Sequence, residues 1–193
     1  EPVAVDFSKA GLALCILDSG ADHADLTDEY AAVPAECRAV AAVCGGEVLR
    51  DVPFETFLAK LPECRRQCGD RAVLRAIHYF EENARTLAQR EALTAGDFAA
   101  FVRLVEASGH SSFELCQNVY CAASPQCQGL SAALALSQSI LAGSGGAWRM
   151  QGGGFAGTIQ AYVPQSLLER YHSEIERVFG KGSCYILRLR EQG

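Results

Sequence analysis

The sequence predicts an α+β fold, an antiparallel sheet of about four to five strands with helices packed on one face. Two observations carry this reading. Period-two stretches stand near both ends of the chain, and a block of helical periodicity lies between them. A third bounds the size: 193 residues, 49% hydrophobic and 21% charged, fit one domain over 1–193 with a substantial core.

Val3, Val5 and Phe7 alternate with Ala4 and Asp6, which predicts a first strand, and Lys9-Ala10-Gly11 a turn. Leu12 to Leu17 is a continuous apolar run, as expected of a strand covered on both faces. Asp18-Ser19-Gly20 ends it in a polar loop that continues to about Tyr30. Ala31 to Cys44 is a helix stopped at Gly45-Gly46. Pro53 opens a short helix to Lys60, and Pro62 to Gly69 is a loop. Asp70 to Leu93 is the longest helix, with Val73, Ile77, Phe80, Ala84 and Leu87 as its buried stripe and Arg75, Glu82, Arg85 and Gln89 facing water. Asp97 caps a helix whose apolar face is Phe98, Phe101, Val102 and Val105. Ser124-Pro125 begins another, since Ser suits the cap and Pro the first helical position. Ala147 to Gln151 and Thr158 to Val163 are strands, Pro164 to Gly180 bounds a helix, and Ser183 to Leu189 alternates as a final strand.

Charge excludes some partners. Lys and Arg total 17 against 23 Asp and Glu, a net −6, and no segment carries a basic stripe, so no nucleic-acid partner is expected. The most apolar run, Leu130 to Ala142, is too short and too broken by Ser131, Ser137, Gln138 and Ser139 to span a membrane. No signal peptide opens the chain. Nine cysteines, an odd number scattered through core-like segments, read as free thiols in a cytoplasmic protein. Neither Cys64 with Cys68 nor Cys121 with Cys127 has zinc-ligand partners, so no metal site is expected. Met150 is the only methionine, which predicts a chain that begins partway through a longer protein.

The sharpest local signal is Gly152-Gly153-Gly154-Phe155-Ala156-Gly157. It satisfies G-x-G-x-x-G, but a dinucleotide site needs a helix next, and Thr158 to Val163 reads as a strand. Two readings stay open. One is a tight strand-to-strand connection in which glycines supply positive φ. The other is a backbone cradle whose amides approach a phosphate or a sugar with no Cβ in the way.

With Arg149, Met150 and Gln151 before it, this run resembles the C-terminal glycine motif of the galactokinases, members of the wider class of galactokinase, homoserine, mevalonate and phosphomevalonate (GHMP) kinases. Asp18-Ser19-Gly20, His23, Glu29-Tyr30 and Glu36-Cys37 are similar to the family's loop and helix after the sheet's strand pair. Arg75, His78, Glu81, Asn83 and Arg85 fall as in its long helix, and Gly96-Asp97-Phe98 and Ser108 to Ser112 as in the next. The resemblance covers nearly the whole chain in the right order.

It implies that the chain is the C-terminal, substrate-cleft half of a sugar kinase, with the ATP-binding half upstream. The intact protein would transfer the γ-phosphoryl group of ATP to the anomeric hydroxyl of galactose or a related sugar. ATP and Mg²⁺ would be held mainly by that missing half, which would also carry the catalytic residue, so no catalytic residue is assigned here and the chain alone is expected to be inactive. Tyr30 matches the tyrosine whose phenol contacts the sugar, and Gly152, Gly153 and Gly154 the glycines lining the cleft, so these four are the implied substrate-binding residues. His23 and His110 match motif positions but suit structural hydrogen bonding better than catalysis. His78 with Glu81, Glu82 and Arg85 suits a salt-bridge network.

The family pattern is not kept throughout. Ala31, Val33 and Pro34 stand where an asparagine and two arginines are usual, Gln151 where threonine is, and Ala156 where glycine is. Losing two charged donors beside the tyrosine bears on which sugar binds, or on whether one binds. The alternative reading is a kinase-derived sugar sensor or degenerate kinase, a regulatory binding module without catalysis.

Overall fold

The computed structural model describes residues 5–20 and 26–187. Asp6 starts it differently from the alternation around it. Its Oδ1 accepts the Ser8 N–H at 3.0 Å, and that local bond winds Phe7–Ala10 into a 3₁₀ turn in place of the expected first strand; Val3 lies outside the described residues. Gly11, at φ 68°, then turns the chain into β1 (Leu12–Asp18).

The other strands are β2 (Ala147–Met150), β3 (Thr158–Pro164) and β4 (Cys184–Leu187), of which the last was expected to run on to Leu189, outside the described residues. All pair antiparallel in the order β2-β3-β1-β4, giving the four-stranded sheet of an α+β fold. The register aligns Cys15 with Ala161, Leu17 with Ile159 and Trp148 with Ala161. Side chains alternate across a strand, so one face gathers Cys15, Leu17, Trp148, Met150, Ile159, Ala161, Val163 and Cys184. Helices α6 (Gly129–Leu141) and α7 (Leu168–Phe179) cover it through Leu130, Ala133, Leu141, Tyr171 and Ile175. At one end of the other face, Leu12, Ala147 and Tyr162 meet Phe101, Val102 and Val105 of α5 (Phe98–Ser111).

The helical block departs from expectation in four places. Helix α1 (Thr27–Cys44) begins before Tyr30, helped by Asp28 and Glu29 at its positive end, so Tyr30 rides on a helical turn and not in a loop. Its C-terminus is stopped as expected by Gly45, at φ 88°. After α2 (Phe54–Ala59), the stretch taken for a loop is α3 (Leu61–Cys68), where Pro62 sits in the first turn and has no N–H to waste. Ser124-Pro125 starts no helix: Ser124 N–H bonds Cys121 O and Cys127 N–H bonds Ser124 O, which closes turns instead, and α6 begins at Gly129. In α4 (Asp70–Thr94) the buried face is Ala72, Val73, Arg75 and Ala76, whereas Ala84 is exposed and Leu87 is 60% exposed. Arg75, expected in water, is 1% exposed because Glu36 accompanies it.

Asp97 caps α5 as expected, its Oδ1 accepting the Ala100 N–H at 2.9 Å. Asp97→Ala should cost about 1 kcal/mol and lower Tm by about 2–4 °C, read by thermal denaturation; an unchanged Tm would show the cap to be redundant. All nine cysteines are free thiols. Among the described residues no helix is long and apolar enough to cross a membrane.

Candidate functional site

The glycine run joins β2 to β3, and Gln151 N–H bonds Thr158 O at 3.0 Å to close the connection. A strand follows it, so the dinucleotide reading fails on structure as it did on pattern. The backbone is far from a two-residue hairpin: Gly152, Gly154 and Gly157 have φ of 75°, 86° and 89°, and Phe155 has 59°.

Three other segments grip this turn by its carbonyls. Tyr30, from the first turn of α1, donates its phenol O–H to Gly154 O at 2.6 Å, with its ring edge-on to Phe155 at 5.3 Å between centroids. The ring lies so close that a Cβ on Gly153 would stand 2.6 Å from Tyr30 Cε1. Asn118, just after α5 and a π-helical turn (Ser112–Cys116), donates Nδ2 to Gly153 O at 3.1 Å and accepts the Phe155 N–H on its own carbonyl at 2.5 Å. Ser19, at the end of β1, donates both its N–H (3.0 Å) and its hydroxyl (2.7 Å) to Gly157 O.

Tyr30 and the three glycines named from sequence thus meet in one place. Gly152 and Gly153 are exposed, Tyr30 is half-buried, and Gly154, Phe155 and Ala156 are buried. Burial pushes the Tyr30 phenol above its ordinary range, so it stays a protonated donor at neutral pH. The N–H groups of Gly152, Gly153 and Gly154 donate to no described residue. The arrangement therefore offers amide donors beside an aromatic face, a combination suited to a sugar or a phosphate oxygen.

Sequence reasoning passed over Asn118 and Ser19 as binding partners of the turn. Ser19 lay in a quoted motif; for Asn118 no local pattern pointed 35 residues ahead to Gly153. The remaining motif residues sit elsewhere. Arg85 pairs with Glu81 and Glu82, the salt-bridge part of the expected network, and Glu82 also meets Arg149 and Ser108, whereas His78 Nδ1 lies 2.8 Å from Ser111 Oγ and joins no ion pair among the described residues. Burial lowers the His78 pKa. His110 is exposed near Glu114, and His23 lies outside the described residues. Among the described residues no three His, Cys, Asp or Glu side chains cluster to hold a metal ion by themselves. Two surface hollows, at Pro62–Arg65–Asp70 and at Leu168–His172–Ile186, include none of the turn residues.

No protein-family model matches the chain. Curated relatives do. It is 34% identical over 162 residues to a galactokinase of Actinobacillus pleuropneumoniae, covering 82% of this chain and 39% of that protein. It is 35% identical over 158 residues to one of Mannheimia succiniciproducens, and 33% over 174 residues to one of Glaesserella parasuis, the latter match covering 89% of this chain and 42% of the relative. The chain thus spans about two fifths of the length of these relatives. A crystal structure of Lactococcus lactis galactokinase complexed with galactose matches 97% of this chain and 47% of that one at a TM-score of 0.74 and 22% identity, a likeness of fold. By sequence and by fold, this chain is similar to the C-terminal part of the galactokinases.

Proposed function

We propose that this chain forms one wall of the sugar cleft of a galactokinase-like enzyme, a single domain working with an N-terminal half that binds ATP and Mg²⁺. The intact protein would transfer the ATP γ-phosphoryl group to the anomeric hydroxyl of galactose or a related sugar. One observation carries the reading: Tyr30, far from the glycines in sequence, donates to Gly154 O and lies against Gly153, while the amides of Gly152 to Gly154 donate to no described residue. Tyr30 would pack its ring against the sugar, and the glycine amides would bind sugar or phosphate oxygens as negative charge develops during transfer. ATP and Mg²⁺ supply the phosphoryl group and its charge neutralisation; the residues here only orient the acceptor and exclude water. The nine free thiols suit a reducing, cytoplasmic setting.

The test is a sugar panel with ATP on the intact protein, read as turnover and as sugar-dependent Tm. Galactose-dependent turnover supports the kinase. A galactose shift in Tm without turnover supports the sensor reading instead, which Ala31, Val33 and Pro34 beside Tyr30 favour. Neither signal from any sugar refutes both. Tyr30→Phe should raise the galactose KM about five- to tenfold, since the lost hydroxyl releases Gly154 O; an unchanged KM would remove Tyr30 from the site.

A further inference from the structure

Among the described residues, Gln117 and Phe155 are the only non-glycine residues with positive φ, at 54° and 59°. Such backbone persists where its surroundings enforce it, and it gathers at functional sites. Both flank one junction. Gln117 N–H bonds Ser112 O at 2.9 Å, which closes the π-helical turn and swings the next residue, Asn118, onto the glycine turn. There Asn118 holds Gly153 O through Nδ2 and Phe155 N–H through its carbonyl, so closely that a Cβ on Gly154 would lie 1.9 Å from that carbonyl.

Asn118 is 7% exposed, and its Oδ1 is buried with no donor among the described residues. A buried amide that leaves one end unsatisfied needs a reason to stand there. The Nδ2 bond supplies it: the amide is oriented by its grip on Gly153, and the same orientation leaves Oδ1 without a partner among the described residues.

We propose that Asn118 is a positioning residue of the sugar site, fixing the conformation in which Gly152 to Gly154 present their amides. This rests on the turn being the sugar-binding element. Asn118 touches no reacting atom; it acts through the turn. An aspartate of the same size would lose the donor and set a carboxylate against the Gly153 carbonyl.

The experiment compares wild type, Asn118→Asp and Asn118→Ala in the intact protein. It measures amide hydrogen exchange over residues 152–157, the KM for galactose and for ATP, and Tm. Exchange in the turn should quicken about tenfold and the galactose KM should rise about five- to tenfold, with the ATP KM unchanged. A merely structural role would lower Tm and leave the galactose KM in place, which overturns the proposal, as does wild-type exchange in both variants. If Asn118→Ala is too unstable to assay, Asn118→Asp, which keeps the volume, decides. A wild-type protein that binds no sugar overturns the underlying reading, and the exchange comparison then still tells whether Asn118 holds the turn.

Discussion

Gly154→Ala should destabilise the protein by about 3 kcal/mol and lower Tm by about 6–12 °C, whereas Gly152→Ala, two residues away, should cost only about 1 kcal/mol. Both glycines have positive φ, 86° and 75°, so both alanines pay the left-handed strain. They differ in what a Cβ meets. At Gly152 there is nothing within 4 Å; at Gly154 the Asn118 carbonyl oxygen stands at 1.9 Å. That oxygen is backbone and cannot swing aside like a long side chain. Making room pulls segment 117–118 from the turn and strains three hydrogen bonds, from Phe155 N–H to Asn118 O, from Asn118 Nδ2 to Gly153 O and from Tyr30 to Gly154 O. Thermal or urea denaturation of the two variants checks the difference. Equal losses would mean that the turn is loosely held and that the close approach does not define it.

The sheet was readable because its strands declare themselves locally. The Leu12 to Leu17 run and the alternation around Ile159 and Ile186 need no knowledge of their partners to be read as strands. Tyr30 and Gly152 to Gly154 were reached through resemblance and not through spacing, since the bond joining them spans 124 positions. The misreadings have a common cause. Pro62 suits a loop but proline also opens helices, and Ser124-Pro125 suits a helix start but also closes turns. Local chemistry permitted both outcomes, and tertiary packing chose between them. Spacing places Leu87 in the core, but the face of α4 that turns inward is the small-residue face of Ala72 and Ala76, which lets α1 and α3 approach closely.

Arg75 is the clearest case of a residue whose role lies in its partners, and Arg75→Ala should cost about 3–5 kcal/mol, a Tm loss of about 10 °C or more. Its guanidinium is 1% exposed, with Nη1 2.8 Å from Glu36 Oε2 and Nε donating to Cys116 O at 3.0 Å. Alanine leaves the Cys116 carbonyl without its donor and Glu36 with only Arg71, a more exposed partner at 2.5 Å. It also leaves a void where a large side chain was enclosed. Arg75→Lys should recover only part of the loss, because one ammonium cannot reproduce the fork that serves two acceptors at fixed angles. Cys116 closes the π-helical turn that delivers Asn118 to the glycine turn, so the loss should spread beyond stability. Amide exchange over residues 116–119 and 152–157 should quicken together in Arg75→Ala. If the first segment loosens while the second keeps its protection, the glycine turn is held by Tyr30 and Ser19 without help from the helical block.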